Sequence, residues 1–310
     1  MNLTKKQVEE NWGELARKLP LVCGLKTLNS ELTIYAVLQQ ACHQFDYVVI
    51  TDDGSTDGTF EMVKKCVSDF NIKNLMAVDV SEFDPWPDQE IEKKEGDHHI
   101  TRPAGQTHAK AQLKNYQVVQ QAAPESIYVS LEDDVVLFDN IRSRIYNRIV
   151  QWKEPFTDTE FFNVTSIIDR EHTIEALHNY EPGIPIPGMN FRRLHDNAGD
   201  YTLAAWWTGG EIHVGPDPNY PFGACLYPWL EKNQCGKKGQ CNDKPFGFHF
   251  MSYRTSKDGY EYDDRLKVGI KKFAELDDPD IDLGVLDRVW FPQEMYLDKS
   301  GDKWYQRIRK

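Results

Sequence analysis

Tyr47-Val48-Val49-Ile50-Thr51-Asp52-Asp53-Gly54-Ser55-Thr56-Asp57-Gly58-Thr59 is the stretch that decides the fold. Its first four residues are a short apolar run bounded by turn signals, the pattern of a buried strand. The run ends in two adjacent carboxylates, turns through small residues, and opens a helical pattern from Phe60 to Val67. Asp-Gly alone would be turn chemistry: Gly takes positive φ, and Asp or Thr caps the helix that follows. Two acids at a strand's carboxyl end say more, because open α/β sheets bind ligands there. Beside a Gly/Ser/Thr turn, Asp52 and Asp53 suit the base and ribose of a nucleotide better than its phosphates. The phosphates would need a cation.

Outward from this stretch the pattern alternates. Thr4-Lys5-Lys6-Gln7 reads as a capping box before a helix with Val8, Trp12 and Leu15 on one face. Pro20 ends that helix, and Leu21 to Leu25 reads as a strand. A helix is expected from about Glu31 to His43, then the Tyr47 strand, a helix from Thr59 to Val67 and a strand at Leu75 to Val78. Such βαβαβ alternation predicts a parallel sheet with helices on both faces. Residues 82–106, with three prolines, a charged run and His98-His99, read as an exposed loop beside the site. A helix from Thr107 to Ala123 and a strand from Ile127 to Leu131 follow. Further on, Ile141 to Trp152 looks helical and Phe161 to Thr165 strand-like. Residues 178–222 are loop-rich in composition, as an acceptor-binding surface would be.

The chain has 310 residues and a formal net charge of −13, from 49 acidic and 36 basic residues. That balance argues against an extended grip on nucleic acid, which needs clustered Lys and Arg. The first residues lack the apolar core of a signal peptide, and no run approaches the length of a membrane span. A cytoplasmic protein without integral membrane association is expected. The spacing of Cys225, Cys235 and Cys241 lacks the paired knuckle of structural zinc sites, so free thiols are expected.

A second acidic cluster, Glu132-Asp133-Asp134, directly follows the strand ending at Leu131. Three consecutive carboxylates at a buried strand end repel one another unless a cation neutralises them. Their hard oxygen atoms suit Mg²⁺ or Mn²⁺, which would also take diphosphate oxygens.

All eight residues from Asp52 to Thr59, in this order between strand and helix, resemble the signature of the family 2 glycosyltransferases and their relatives with the glycosyltransferase A fold. Glu132-Asp133-Asp134 is similar to that fold's acidic DXD-like motif, with Glu in place of the usual first Asp. Lys26-Thr27-Leu28-Asn29 resembles the family's Pro-Thr-Tyr-Asn and matches it at Thr27 and Asn29. Lys114-Asn115 stands where the family often has Arg-Asn. The resemblance covers roughly residues 20–140.

It implies an α/β fold, a Rossmann-like sheet with helices on both faces and a C-terminal acceptor-side extension. Residues 1–310 would form one domain, with a nucleotide-sugar-binding half at about 20–140 and an acceptor half and cap at about 141–310. Thr27, Asp52, Asp53, Lys114 and Asp133 would bind the nucleotide-diphosphate sugar. Glu132 and Asp134 would hold Mn²⁺ or Mg²⁺, with Asp134 the foremost ligand and His249 a candidate third. The implied reaction moves a sugar to an acceptor hydroxyl, with inversion, and needs a carboxylate base on the acceptor side. Counted from Asp134, the family's window for that base reaches Glu211, Asp217 and Glu231, of which Glu211 and Asp217 are the candidates. Glu211 follows Trp206-Trp207-Thr208-Gly209-Gly210, where tryptophans could stack on a sugar. The expected acceptor is a glycan or glycoconjugate, with a hydroxymethylated DNA base as the lesser alternative. Two other classes compete: a sugar-phosphate nucleotidyltransferase, whose Gly-rich loop is replaced here by Gly24-Leu25-Lys26-Thr27, and an inactive sugar-nucleotide-binding module.

Overall fold

The computed structural model describes residues 3–31, 33–83, 106–153, 155–156, 159–162, 165–166, 203–209, 241–242, 246–249, 282 and 284–290, some of them by backbone alone. Its first helix, α1 (Lys5–Ala16), starts on the capping box expected at Thr4 and Gln7. Val8, Trp12, Leu15 and Ala16 form the buried face. Trp12 stacks on Trp152 and donates its indole N–H to the Ile149 carbonyl. This fastens α1 to α5 (Ile141–Ile149).

The expected α/β class with a parallel sheet is observed. Strands β1 (Leu21–Thr27), β2 (Tyr47–Asp52), β3 (Leu75–Asp79) and β4 (Ile127–Glu132) run parallel in the spatial order β3-β2-β1-β4. All seven residues of β1 are buried, as befits a central parallel strand covered on both faces. The sheet continues through β8 (Leu203–Trp207), β6 (Thr159–Phe162) and β9 (Cys241–Asn242), with β8 antiparallel to both neighbours. A second sheet joins β5 (Val135–Leu137), β10 (Gly247–His249) and β7 (Thr165–Ser166). The strand foreseen over Phe161 to Thr165 is thus divided between two sheets.

Helix α4 (Gln106–Ala122) packs on β1 and β2 and covers the face carrying Gly24, Thr51, Tyr128 and Ser130. Asn115 is its clamp: the amide donates to the carbonyls of Val49 and Leu25, while its own oxygen accepts from Tyr128 Oη at 2.9 Å. The Tyr128–Asn115 bond crosses directly over Gly24. A Cβ there would lie 2.0 Å from Tyr128 Oη, so only glycine fits. Helices α2 (Ile34–Gln44) and α3 (Thr59–Phe70) pack on each other. Cys23, Cys42 and Cys66 are free. Burial pushes the Cys42 and Cys66 thiols up to about 12 and raises Cys23 as well, so all three stay protonated at neutral pH. The last described element, α6 (Val285–Arg288), is held to α2 by Gln39, which bonds the backbone at Arg288 and Trp290.

Helix α2 begins at Ile34, three positions after its expected start. The chain turns into it at Ser30, whose carbonyl accepts from the Thr33 and Ile34 amides, while the Ser30 and Glu31 side chains are held by Asp133 and by the Gly58 amide. Among the described residues no helix is long and apolar enough to cross a membrane.

Candidate functional site

Strand order reverses between β1 and β4: the chain runs outward from β1 through β2 to β3, then crosses back to β4 on the other side. Crevices at such switch points, outside the carboxyl ends of the strands, are where open α/β sheets bind ligands. Lys26-Thr27, Asp52-Asp53 and Glu132-Asp133-Asp134 all lie at those ends, in register: Lys26 pairs with Thr51 on one side and Glu132 on the other.

The loop after β2 is built largely by its own side chains. Asp52 Oδ2 accepts from the amides of Gly54 at 3.0 Å and Ser55 at 2.9 Å, and Ser55 Oγ donates to Asp52 Oδ1. Gly54 has φ 80°, the left-handed conformation the turn requires. At the far end Asp57 Oδ1 accepts from the amide and hydroxyl of Thr59 and opens α3. The Asp52 carboxylate therefore shapes the loop.

Its neighbour Asp53 turns to α4 instead. Lys110 Nζ lies 2.7 Å from Asp53 Oδ1, with the two side chains only 11% and 2% exposed. Lys110 also donates to the Ser81 carbonyl at 3.1 Å, which draws in the segment after β3. There the Ser81 amide and hydroxyl, with the charge of Lys110, hold the Asp79 carboxyl below the usual carboxylate range. Lys114, the family-matched cation, sits one turn further along α4, with Nζ over the Phe83 ring at 4.9 Å. Lys110 was missed in the sequence although it shares a helix face with Lys114 at the i, i+4 spacing.

The loop between β1 and α2 braces both acidic strand ends. Asn29, at φ 53°, accepts from the Thr56 amide through Oδ1 and donates its own amide to Ser55 Oγ. The Glu31 amide donates to Asp57, and Glu31 Oε2 accepts from the Gly58 amide. On the other side, Asp133 Oδ2 accepts from the Leu28 amide at 3.2 Å and from Ser30 Oγ. Thr33 Oγ1 donates to the Asp133 carbonyl at 2.7 Å. Asp133, 1% exposed, is thus engaged by the loop after β1. Thr27 Oγ1 and Gln112 Oε1 are buried atoms without a hydrogen-bond partner among the described residues.

Residues 133–134 form the turn that carries the chain from β4 into β5. Across from it, His249 pairs with Val135, the residue after Asp134. The backbone of His249 is thereby brought beside the acidic turn from the other end of the sequence. Among the described residues no group of three His, Cys, Asp or Glu side chains is already gathered as a metal site. The donor set that remains around the turn is still oxygen-rich: Glu132 and Asp134 flank the tethered Asp133.

Of the candidate bases, Glu211 and Asp217, like Glu231, lie outside the described residues, as do His98, His99, Cys225 and Cys235. The segment leading to Glu211 is informative nevertheless. β8 enters with Leu203 beside Leu131 and leaves with Trp207 beside Ile127. Trp206 and Trp207 therefore lie at the amino end of β4, whereas the acids lie at its carboxyl end, roughly 16 Å away at about 3.3 Å per residue.

No protein-family model matches the chain, and no curated protein matches it in sequence. Among solved structures, glucosyl-3-phosphoglycerate synthase from Mycobacterium tuberculosis, in complex with Mn²⁺, UDP and glucosyl-3-phosphoglycerate, is similar at 12% identity and a TM-score of 0.43, over 89% of this chain and 84% of that one. A mannosyltransferase from Pyrobaculum calidifontis, in complex with GDP-Man and Mn²⁺, is similar at 14% identity and a TM-score of 0.38, over 84% of this chain and 63% of that one. Likeness at this level assigns neither activity nor substrate to this chain.

Proposed function

We propose that this chain is a divalent-cation-dependent glycosyltransferase that moves a sugar from a nucleotide-diphosphate donor to an acceptor hydroxyl, with inversion, the acceptor being a glycan or glycoconjugate. The observation that carries this reading is the assembly of the Asp52–Thr59 loop and the Glu132–Asp134 turn around one switch-point loop.

Thr27 and Asp53 line the nucleoside side, with Lys110 fixing Asp53 and Asp52 shaping the loop that follows it. Glu132 and Asp134, with His249 paired opposite Val135, would hold Mn²⁺ or Mg²⁺; the oxygen-rich donor set and the register of β10 both fit such an ion. When bound, the cation would stabilise the departing nucleoside diphosphate. A carboxylate base takes the acceptor hydroxyl's proton as that oxygen bonds the sugar's anomeric carbon and the bond to the diphosphate breaks. For that role Glu211 and Asp217 are the candidates.

Calorimetric titration with UDP-, GDP- and dTDP-sugars, with and without Mn²⁺, tests the donor site. Tight binding of one of them, strengthened by Mn²⁺, is expected; binding of none refutes the reading. Asp134→Ala is expected to lower nucleoside-diphosphate release from the donor by about 100-fold or more, at the upper end of what disturbing a metal site costs. Full turnover in that variant would remove Asp134 from the cation site.

A further inference from the structure

Ser30 stands between the two halves of the proposed donor site. Its amide donates to Thr59 Oγ1 at 2.8 Å, and its hydroxyl donates to Asp133 Oδ2. At 6% exposure it lies where water is a poor substitute for either partner. Thr59 in turn donates to Asp57, which also accepts from the Glu31 amide. One hydrogen-bonded path thus runs from the acidic turn after β4, through the β1–α2 loop, to the first residue of α3. Every side chain on it is short, so each link has little freedom to re-form elsewhere.

The path meets the acidic turn at its middle residue. Asp133 lies between Glu132 and Asp134 in the chain, so fixing Asp133 at its carboxylate and its carbonyl fixes the backbone that carries both flanking acids. We propose that Ser30 is a positioning residue that acts through Asp133 to set the spacing of Glu132 and Asp134, so that cation affinity depends on a loop that contributes no ligand to the cation. This rests on the donor-site reading above. A serine that merely capped its own loop would influence stability and leave cation affinity untouched.

The test is Mn²⁺ affinity of the full chain, measured by calorimetry or by the EPR signal of free Mn²⁺, alongside thermal stability. Ser30→Ala is expected to weaken Mn²⁺ about tenfold, the scale of an outer-shell loss. Ser30→Thr keeps the hydroxyl and is expected to restore wild-type affinity. Ser30→Cys, a weaker donor of similar size, is expected to fall between and serves if the alanine variant does not fold. Asp133→Ala alone and Ser30→Ala with Asp133→Ala are expected to bind Mn²⁺ equally, because both break the same link. Reduced stability with unchanged Mn²⁺ affinity in Ser30→Ala, or additive losses in the double variant, overturns the proposal. A wild-type chain that binds neither Mn²⁺ nor any sugar nucleotide overturns the donor site itself; one that binds both while Ser30→Ala is indistinguishable overturns only the link.

Discussion

After β2, Asp52 finds its hydrogen-bond donors within the next three residues, at Gly54 and Ser55, and Asp53 is neutralised by Lys110 from the helix above. After β4, Asp133 takes its donors from Leu28 and Ser30, more than a hundred residues earlier in the chain. Both strand ends deliver adjacent acids, and both hold them buried. The difference is the origin of the donors: Asp52 is satisfied within its own turn and Asp53 by a cation on α4, whereas Asp133 takes an amide and a hydroxyl from the loop after β1. A local arrangement forms with its own segment, whereas a remote one exists only once the sheet is assembled.

The Asp53–Lys110 pair should give the largest effect that separates the two ends. Lys110→Met takes the ammonium away from a carboxylate that is 2% exposed, and breaking such a pair costs about 3–5 kcal/mol. Combining Lys110→Met with Asp53→Asn removes the buried charge as well and should recover most of that loss. Urea unfolding of the three variants measures both. A single-variant cost below about 1 kcal/mol, the range of surface pairs, would show that the loop after β2 does not depend on α4 for its charge balance.

The same local-against-remote division explains what could be read in the sequence. The seven buried residues of β1, the capping box at Thr4 and the turn at Asp52 to Ser55 are signals written within a few residues, and they predicted their elements. The start of α2 lies three positions after the expected one, and the partners that the Ser30 and Glu31 side chains take, Asp133 and the Gly58 amide, are not reported by the local sequence. The small β5-β10-β7 sheet was invisible for a related reason: strands of two or three residues carry almost no periodicity, and their pairing joins Val135 to His249 across the chain. The chemical identity of Glu132-Asp133-Asp134 was legible. That its middle member is tied to the loop after β1 was not, since no pattern in one segment reports a partner in another.

A smaller effect is expected at Asp52. Asp52→Ala removes the acceptor for the Gly54 and Ser55 amides and for Ser55 Oγ, a loss of about 1 kcal/mol in a half-buried turn where water can take over part of the bonding. Amide hydrogen exchange should quicken at Gly54 and Ser55 and leave the Leu28 amide, which bonds Asp133, protected. Equal acceleration at Leu28 would mean that the Asp52 turn and the Asp133 tether open as one unit and that the contrast between them is false.

The smallest effect on stability is expected at Lys114, the cation that the family resemblance selected, one turn from Lys110. Its ammonium lies 4.9 Å from the Phe83 ring centre, and both residues are only partly buried. An interaction of that kind contributes about 0.5–1 kcal/mol, so Lys114→Ala should barely move the unfolding midpoint. If Lys114 contacts the donor nucleotide, as the resemblance implies, sugar-nucleotide affinity should still fall about fivefold in that variant, equivalent to about 1 kcal/mol. Calorimetry and urea unfolding on the same preparation read the two quantities apart. A stability loss matching that of Lys110→Met would make Lys114 a second structural cation. Unchanged affinity would leave Asp53's partner as the cation of α4 that matters for the nucleoside side, with its effect exerted through Asp53 alone.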